Sequence, residues 1–352
     1  MKNNNIKYFF ASNSADGFVS FFNTCYNPLD GWRCAIIKGG PGSGKSSFMK
    51  KLLKHSENPT LCYCGSDPDS LDAVLIPEKK LAILDGTAPH TQEPLFPGVS
   101  EEILNFGEYW NEAQIRENRD EIIALTLKNK AEQAAASEYL KASGLMLRKS
   151  LNFAKNYANI KKCKKAAVTL AKKYIKSDGA KADTKHRFLG GVTPKGVVYF
   201  SDTILLESDT QIIISDNSGA VADIILKTLT DYALEKNHGI ILLHNPLLPE
   251  ILDGVIIPSL KLSFIREYDF LKLPLKTRRI HETRFINKNC LSEVKSELKR
   301  NKKEATRLLN LGIATLKKAK TLHDDLEQFY VKAMDFSKLE KLSETFIKEN
   351  LL

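Results

Sequence analysis

Residues 39 to 46 read Gly-Gly-Pro-Gly-Ser-Gly-Lys-Ser, a spacing of glycine, lysine and hydroxyl that suits the holding of a phosphate chain. Gly39, Gly40, Gly42 and Gly44, with Pro41 and Ser43 between them, let successive backbone N–H groups curl around an anion. A helix starting near Gly44 would aim its positive end at that anion, and Lys45 would reach the terminal phosphates. Ser46, followed by Ser47, would offer a hydroxyl to Mg2+. Asp85 closes the apolar run "KLAIL" about forty residues further on, where a carboxylate can hold a magnesium-bound water. Asp67, Asp69 and His90 fall in loops expected at the same sheet edge and are candidates for positioning an attacking water. "SDPDS" also reads as a capping turn, in which Asp67 and Asp69 would be structural, and His90 also reads as an ordinary loop histidine. The residue after Asp85 is Gly86, which argues against a motor ATPase that uses a glutamate there.

Strands and a helix must position these groups. "CAIIK" (34 to 38) reads as a buried strand, and Phe48, Met49, Leu52 and Leu53 give the next helix its apolar stripe. "LCYC" and "KLAIL" read as further strands, and "DPDSLDAVLIPE" as a loop with a short helix. The plan then recurs. "FASNSADGFVSFF" (10 to 22) is echoed by "LGGVTPKGVVYFS" (189 to 201), and "DSLDAVLIPEKKLAIL" (69 to 84) by "EILDGVIIPSLKLSFI" (250 to 265). Between the second pair of echoes lies "QIIISDNSGAVADIILKTL" (211 to 229), the outline of a second phosphate turn. Read across at constant spacing, Gly39, Gly44, Lys45, Ser46 and Asp85 become Asp216, Val221, Ala222, Asp223 and Arg266. Two carboxylates beside a tetra-anionic ligand predict that the second turn does not bind ATP and is kept for packing, partner contact or shaping of the first site. Arg266 is a candidate for an arginine finger.

The chain of 352 residues carries 52 basic and 42 acidic side chains, and residues 141 to 185 hold 13 basic against 2 acidic. Residues 101 to 176, opening with "EEILNFGEYW", and 289 to 350 read as proline-free, raggedly amphipathic helical hairpins. The lysines at 161, 162, 164, 165, 172, 173 and 176 read as a solvated face or as a surface for an acidic partner, nucleic acid or protein. In "HDDLE" (323 to 327), His323 and Glu327 share a helix face and read as a solvated stripe rather than a metal cluster. The six cysteines include no CxxC pair. No apolar run approaches the roughly 18 residues that cross a bilayer, and the start lacks a signal-peptide core, so a cytoplasmic protein is expected. A homo-oligomer is compatible with this pattern.

The blocks "KGGPGSGKSSFMKK", "GSDPDSLDAVLIPEKKLAILDGTAPH" and "LHDDLEQFYVKAMDF" resemble a family of bacterial tandem P-loop ATP-binding proteins, whose members look intact at both phosphate turns. The resemblance implies an α/β fold of two P-loop NTPase-like units with Rossmann-type parallel sheets, each followed by a helical hairpin. The expected division is 1–100 (intact turn), 101–185 (basic helical segment), 186–287 (degenerate unit) and 288–352 (carboxyl-terminal helices). The expected function is Mg-dependent ATP binding, with an ATPase of low intrinsic rate acting as a switch. A nucleotide or small-molecule kinase is the alternative, with Arg278, Arg279 and Arg284 as its arginine cluster, and an ATP-gated scaffold or nucleic-acid adaptor is a further one. "NKN" (287 to 289) fails the GTP-type [NT]KxD pattern, which favours ATP.

Overall fold

The computed structural model describes residues 5–273, 277–287 and 291–352, so Cys290 and most of the "NKN" motif lie outside it. The first unit comprises β1 (Ile6–Tyr8), the hairpin β2 (Ala11–Ser14) and β3 (Gly17–Ser20), β4 (Arg33–Lys38), α1 (Lys45–Leu52), β5 (Thr60–Tyr63), β6 (Leu71–Ile76), β7 (Leu81–Asp85) and β8 (Glu101–Asn105). Next come α2 (Glu112–Glu117), α3 (Arg119–Tyr157) and α4 (Ile160–Tyr174). The second unit comprises β9 (Thr184–Phe188), the hairpin β10 (Gly190–Thr193) and β11 (Gly196–Tyr199), α5 (Asp202–Glu207), β12 (Thr210–Ser215) and α6 (Ala220–Glu235). It continues through β13 (Ile240–His244), β14 (Leu252–Ile257), β15 (Leu262–Glu267) and β16 (Arg279–His281) before α7 (Leu291–Ala333) and α8 (Phe336–Asn350).

The two six-stranded sheets have the same topology. The first runs β1-β5-β6-β7-β4-β8 and the second β9-β13-β14-β15-β12-β16. Both are mixed: β6 and β14 run antiparallel to both neighbours, and the other pairs are parallel. This corrects the expectation of all-parallel Rossmann-type sheets. The segment 71 to 76, read as loop and short helix, is the central strand β6, and "EEILN", read as helical, is the edge strand β8, which carries the first sheet past residue 100. Even the local geometry repeats, because a 3-10 turn with a left-handed lysine, Lys80 or Lys261, joins the antiparallel pair in each unit.

The period-two alternation of the strands explains the layers. In β4, Cys34 and Ile36 face a core shared with Ile213, Leu243, Ile256 and Ile265 of the second sheet. Ala35 and Ile37 face the opposite way, towards Phe48, Met49 and Leu52 of α1 and Leu339 and Phe346 of α8. On the outer face of the second sheet, Ile212 and Ile214 meet Val221 and Ile225 of α6 and Cys163, Ala167 and Leu170 of α4. The sheets are thus stacked face to face between two helical layers. Their first strands meet at Phe9 and Phe188, which exchange two backbone hydrogen bonds of 2.9 Å.

The helical segments do not form hairpins projecting from their own units. Helices α3 and α7 lie antiparallel against each other: Asn129 Nδ2 donates to the Ala319 carbonyl at 2.6 Å and Ser143 Oγ to that of Ala305 at 2.8 Å. Gly312 admits Leu140, whose Cδ2 would stand 2.8 Å from an added Cβ. Each long helix carries its short partner across to the other unit, α4 onto α6 and α8 onto α1. The two elbows are pinned by equivalent bridges, Ala158 to Ile286 and Met334 to Trp110. An apolar stripe on a long helix specifies burial but not which unit supplies the cover, and so the crossover is invisible to periodicity. Among the described residues no helix is long and apolar enough to cross a membrane.

Candidate functional site

Residues 39 to 44 lead from β4 into α1, with Gly42 (φ 67°) and Gly44 (φ 85°) left-handed. The turn borders a cavity of about 930 Å³ that all of Gly39 to Ser47 line, together with Asp67, Asp72, Asp85 and His90. The Lys45 ammonium donates to the Gly39 and Gly40 carbonyls, both at 2.8 Å, and stands 3.5 Å from Asp85 Oδ2. The other Asp85 oxygen accepts from the backbone N–H and hydroxyl of Thr87. Ser46 Oγ accepts the Leu71 N–H at 3.0 Å, and Ser43 Oγ donates to the Gly40 carbonyl. The structure therefore brings Lys45, Ser46 and Asp85 to one wall of one cavity.

The water-positioning candidates separate. Asp67 lines the cavity, accepts from Asp69 N–H and Ser70 Oγ, and lies 3.7 Å from Lys320. Asp69 is exposed, pairs with Lys195 of the second unit, and does not line the cavity. His90 is buried, with Nδ1 3.0 Å from the Asp85 carbonyl and Nε2 3.5 Å from Asp72 Oδ2. Burial disfavours its charge, but the bond to Asp72, with the Asp85 carboxylate behind it, prevails and pushes the imidazole up to about 8. A protonated ring with both nitrogens engaged is a poor base. Asp72, Asp85 and His90 each place a ligand atom within 4.8 Å of the others. Gly86 is glycine by necessity, because a Cβ there would stand 2.4 Å from Ile36 Cγ2 in the inter-sheet core.

The far wall comes from the crossing helices: Asn129 and Gln133 of α3, and Lys320, His323 and Glu327 of α7. Glu327 Oε1 accepts the Gly42 N–H at 3.2 Å and lies 3.4 Å from His323 Nε2. The "HDDLE" face, read as a solvated stripe, thus covers the turn. The i, i+4 pairing was legible in the sequence, but the approach of α7 from the other unit was not. That approach also uses the glycines: a Cβ at Gly42 would stand 2.9 Å from the Glu327 carbonyl oxygen, and one at Gly44 2.7 Å from Leu339 Cδ2.

The second unit offers an internal comparison. Residues 216 to 219 alone lead from β12 into α6, and the left-handed Gly219 (φ 83°) caps α6 as Gly44 caps α1. The second turn is therefore two residues shorter, which shifts the equivalences: Lys45 corresponds to Ala220, Ser46 to Val221 and Phe48 to Asp223, whereas Gly39 with Asp216 and Asp85 with Arg266 stand. Asp216 fills its own turn. Its Oδ1 accepts from Ser218 N–H (3.0 Å), Ser218 Oγ (2.8 Å) and Gly219 N–H (2.9 Å), and its Oδ2 from Val221 N–H (2.9 Å) and Ala222 N–H (2.7 Å). Burial opposes the Asp216 charge, but a hydrogen bond with Glu282, the Arg266 guanidinium and the turn N–H groups outweigh it and hold the carboxyl below its usual range. Glu282, raised first by burial and then by Asp216, is pushed up to about 9.

Arg266 is buried in the second unit, donating to the Asp216 and Asn217 carbonyls, 3.4 Å from Asp253 and stacked on Tyr268. It is committed there and cannot serve the first turn as an arginine finger. Arg278, Arg279 and Arg284 do not line the cavity, and Arg279 is bound to Glu267. The α4 lysines are exposed on the face of α4 that points away from α6. Cys62 of β5 is buried between the sheets, whereas Cys64 borders the cavity, and burial pushes both thiols up.

A scan against protein-family models finds no match, and searches of curated proteins and of solved structures find none either.

Proposed function

We infer that the protein binds Mg-ATP at the first glycine-rich turn and hydrolyses it slowly, as a tandem P-loop protein with one working site. The observation that carries this is the twin turn, where a shorter turn at the same point of the same topology, with the same left-handed glycine cap, gathers four main-chain N–H groups and a hydroxyl onto the Asp216 carboxylate. Such a turn is an anion cradle. The first turn has no carboxylate of its own, is two residues longer, opens on the cavity, and adds Lys45 where the second has Ala220.

The donor set fits the nucleotide and its ion. Hydroxyl and carboxylate oxygens from Ser46 and Asp85 are the hard ligands magnesium takes, usually through its waters, and Lys45 supplies the cation that a triphosphate needs. Bound Mg-ATP contributes the transferable phosphoryl group and a magnesium that neutralises charge on it. The chain's part is to hold and orient: Gly39 to Ser47 wrap the phosphates, Lys45 offsets their growing charge, and α3 and α7 restrict water. A low rate follows from what surrounds them. Gly86 has no room for a glutamate, both nitrogens of His90 are engaged, and Arg266 is locked in the second unit.

Nucleotide binding and phosphate release by the full chain, compared with Lys45→Ala, test the assignment. Phosphate release should fall by about 10²-fold or more in the variant, the scale of removing one preorganised donor to a developing oxyanion, and binding should weaken by about tenfold or more, the loss of one charge-assisted hydrogen bond. Equal binding by the two proteins would refute it. One observation favours phosphoryl transfer to a small acceptor as a second reading: beyond the turn the cavity continues to the side-chain amides of Asn129 and Gln133, groups of the kind that hydrogen-bond an acceptor. ATP-dependent labelling of an acceptor from a nucleoside and sugar screen separates the two.

A further inference from the structure

We propose that Glu327 is a removable stand-in for phosphate: an anion entering the first turn must displace this carboxylate, and with it the hold of α7 on the turn. The proposal rests on the nucleotide-site assignment above and concerns the regulation of that site.

The geometry is specific. Glu327 Oε1 accepts the N–H of Gly42, in the middle of the turn, and His323 one helical turn away stands 3.4 Å from the same oxygen. That histidine and the Gly42 N–H help to keep Glu327 ionised against its partial burial. An N–H that points at a carboxylate cannot also serve a phosphate, and two anions in one cradle repel each other.

The duplicated architecture supplies a control. Elbow residues Met334 and Ala158 occupy equivalent bridges, and α8 and α4 start two residues beyond them. Counting back seven residues from each elbow pairs Glu327 with Leu151, and four more pair His323 with Leu147. Leu151 is a buried apolar residue packed in the same core as Ala220 of the second turn. Where the turn holds its own carboxylate, the covering helix is therefore apolar at these two positions, although its Lys155 pairs with Asp223 nearby; where the turn has none, the covering helix brings one. The surface of a helix needs no carboxylate at that place, since the twin does without it.

Displacement would not stay local. Val331 and the Glu327 carbonyl oxygen close on Gly42 with no room for a Cβ, and Leu309 and Leu316 of the same helix share a core with Leu247 and Leu248 of the second unit. Release of Glu327 loosens the amino-terminal unit's contact with a helix rooted in the other unit, which makes α7 the element that reports occupancy.

The test uses the full chain with Mg2+ and a non-hydrolysable ATP analogue, comparing wild type, Glu327→Gln, His323→Ala and Lys45→Ala by calorimetric or fluorescence titration, with amide exchange over α7. The proposal expects Glu327→Gln to bind about tenfold more tightly, from loss of one competing charge-assisted hydrogen bond, and His323→Ala to move the same way by less. Ligand should raise exchange near Glu327 in wild type, whereas in Glu327→Gln exchange is already raised without it. Unchanged or weaker binding by Glu327→Gln, with Lys45→Ala still abolishing binding, overturns the stand-in and leaves the site assignment intact; if turnover is then also lost, Glu327 serves the chemistry instead. Binding that survives Lys45→Ala, or no binding by wild type, removes the site assignment and this proposal with it.

Discussion

The first and second glycine turns sit at the same point of the same topology, between the strand next to one sheet edge and the helix behind it, yet they treat negative charge in opposite ways. The second encloses a carboxylate of its own, Asp216, braced by Arg266 and by a protonated Glu282. The first encloses none, places Lys45 at its rim and borrows a carboxylate from α7. Keeping the place of a cradle in the fold does not keep its ligand: the second turn is two residues shorter, has Ala220 in place of Lys45 and carries Asp216 where the first has Gly39, so the chain fills the space itself. The second turn is held by an anion that cannot leave, because the carboxylate at its centre belongs to its own residue Asp216.

The largest expected effect of breaking this contrast falls on Asp216. Asp216→Ala strands four buried N–H groups and the Ser218 hydroxyl and removes a negative charge beside Arg266, and should lower unfolding stability by about 3–5 kcal/mol, measured by chemical denaturation. A loss under about 1 kcal/mol would mean that the carboxylate does not hold the turn together. Next comes Gly86→Ala, which drives a methyl into Ile36 Cγ2 of the neighbouring strand β4; overpacking of this kind costs about 1–3 kcal/mol, and a neutral result in the same denaturation would show that Ile36 can shift aside there.

The Asp216 and Glu282 pair sharpens the comparison through pH. Glu282 has a folded-state pKa near 9, above its ordinary value of 4.5. Its contribution to stability is therefore complete below about 4.5 and is lost as pH rises through about 9. Denaturant midpoints should decline across that window, and Glu282→Gln should flatten the decline; an identical slope in the variant would place the pH dependence elsewhere. The smallest effect is expected for Asp69→Ala, which removes only an exposed, solvent-screened pair with Lys195. Nucleotide turnover should be unmoved, and a large drop would return Asp69 to the site.

Much of this was legible from local sequence. The turn at 39 to 46, strands β4 and β7, helix α1 and the internal duplication each follow from short patterns whose physics is local. The missed features depend on partners distant in the chain. Strand β6 was misread because it is buried on both faces and carries no alternation, and β8 because five residues at a sheet edge look helical when a helix follows. The equivalence of Lys45 with Ala222 failed because the second turn lost two residues in a stretch without echoes. The sequence pairs His323 with Glu327 but offers them no target, since only the crossing of α3 and α7 brings them to Gly42.

The central claim, that one of two like cradles accepts an external triphosphate, is tested most directly by titrating the full chain calorimetrically with Mg2+ and a non-hydrolysable ATP analogue, with Lys45→Ala and Asp216→Asn alongside. The account predicts one equivalent bound per chain, lost in Lys45→Ala and kept at one in Asp216→Asn. Two equivalents, or one that persists without Lys45 and disappears on changing Asp216, would contradict it.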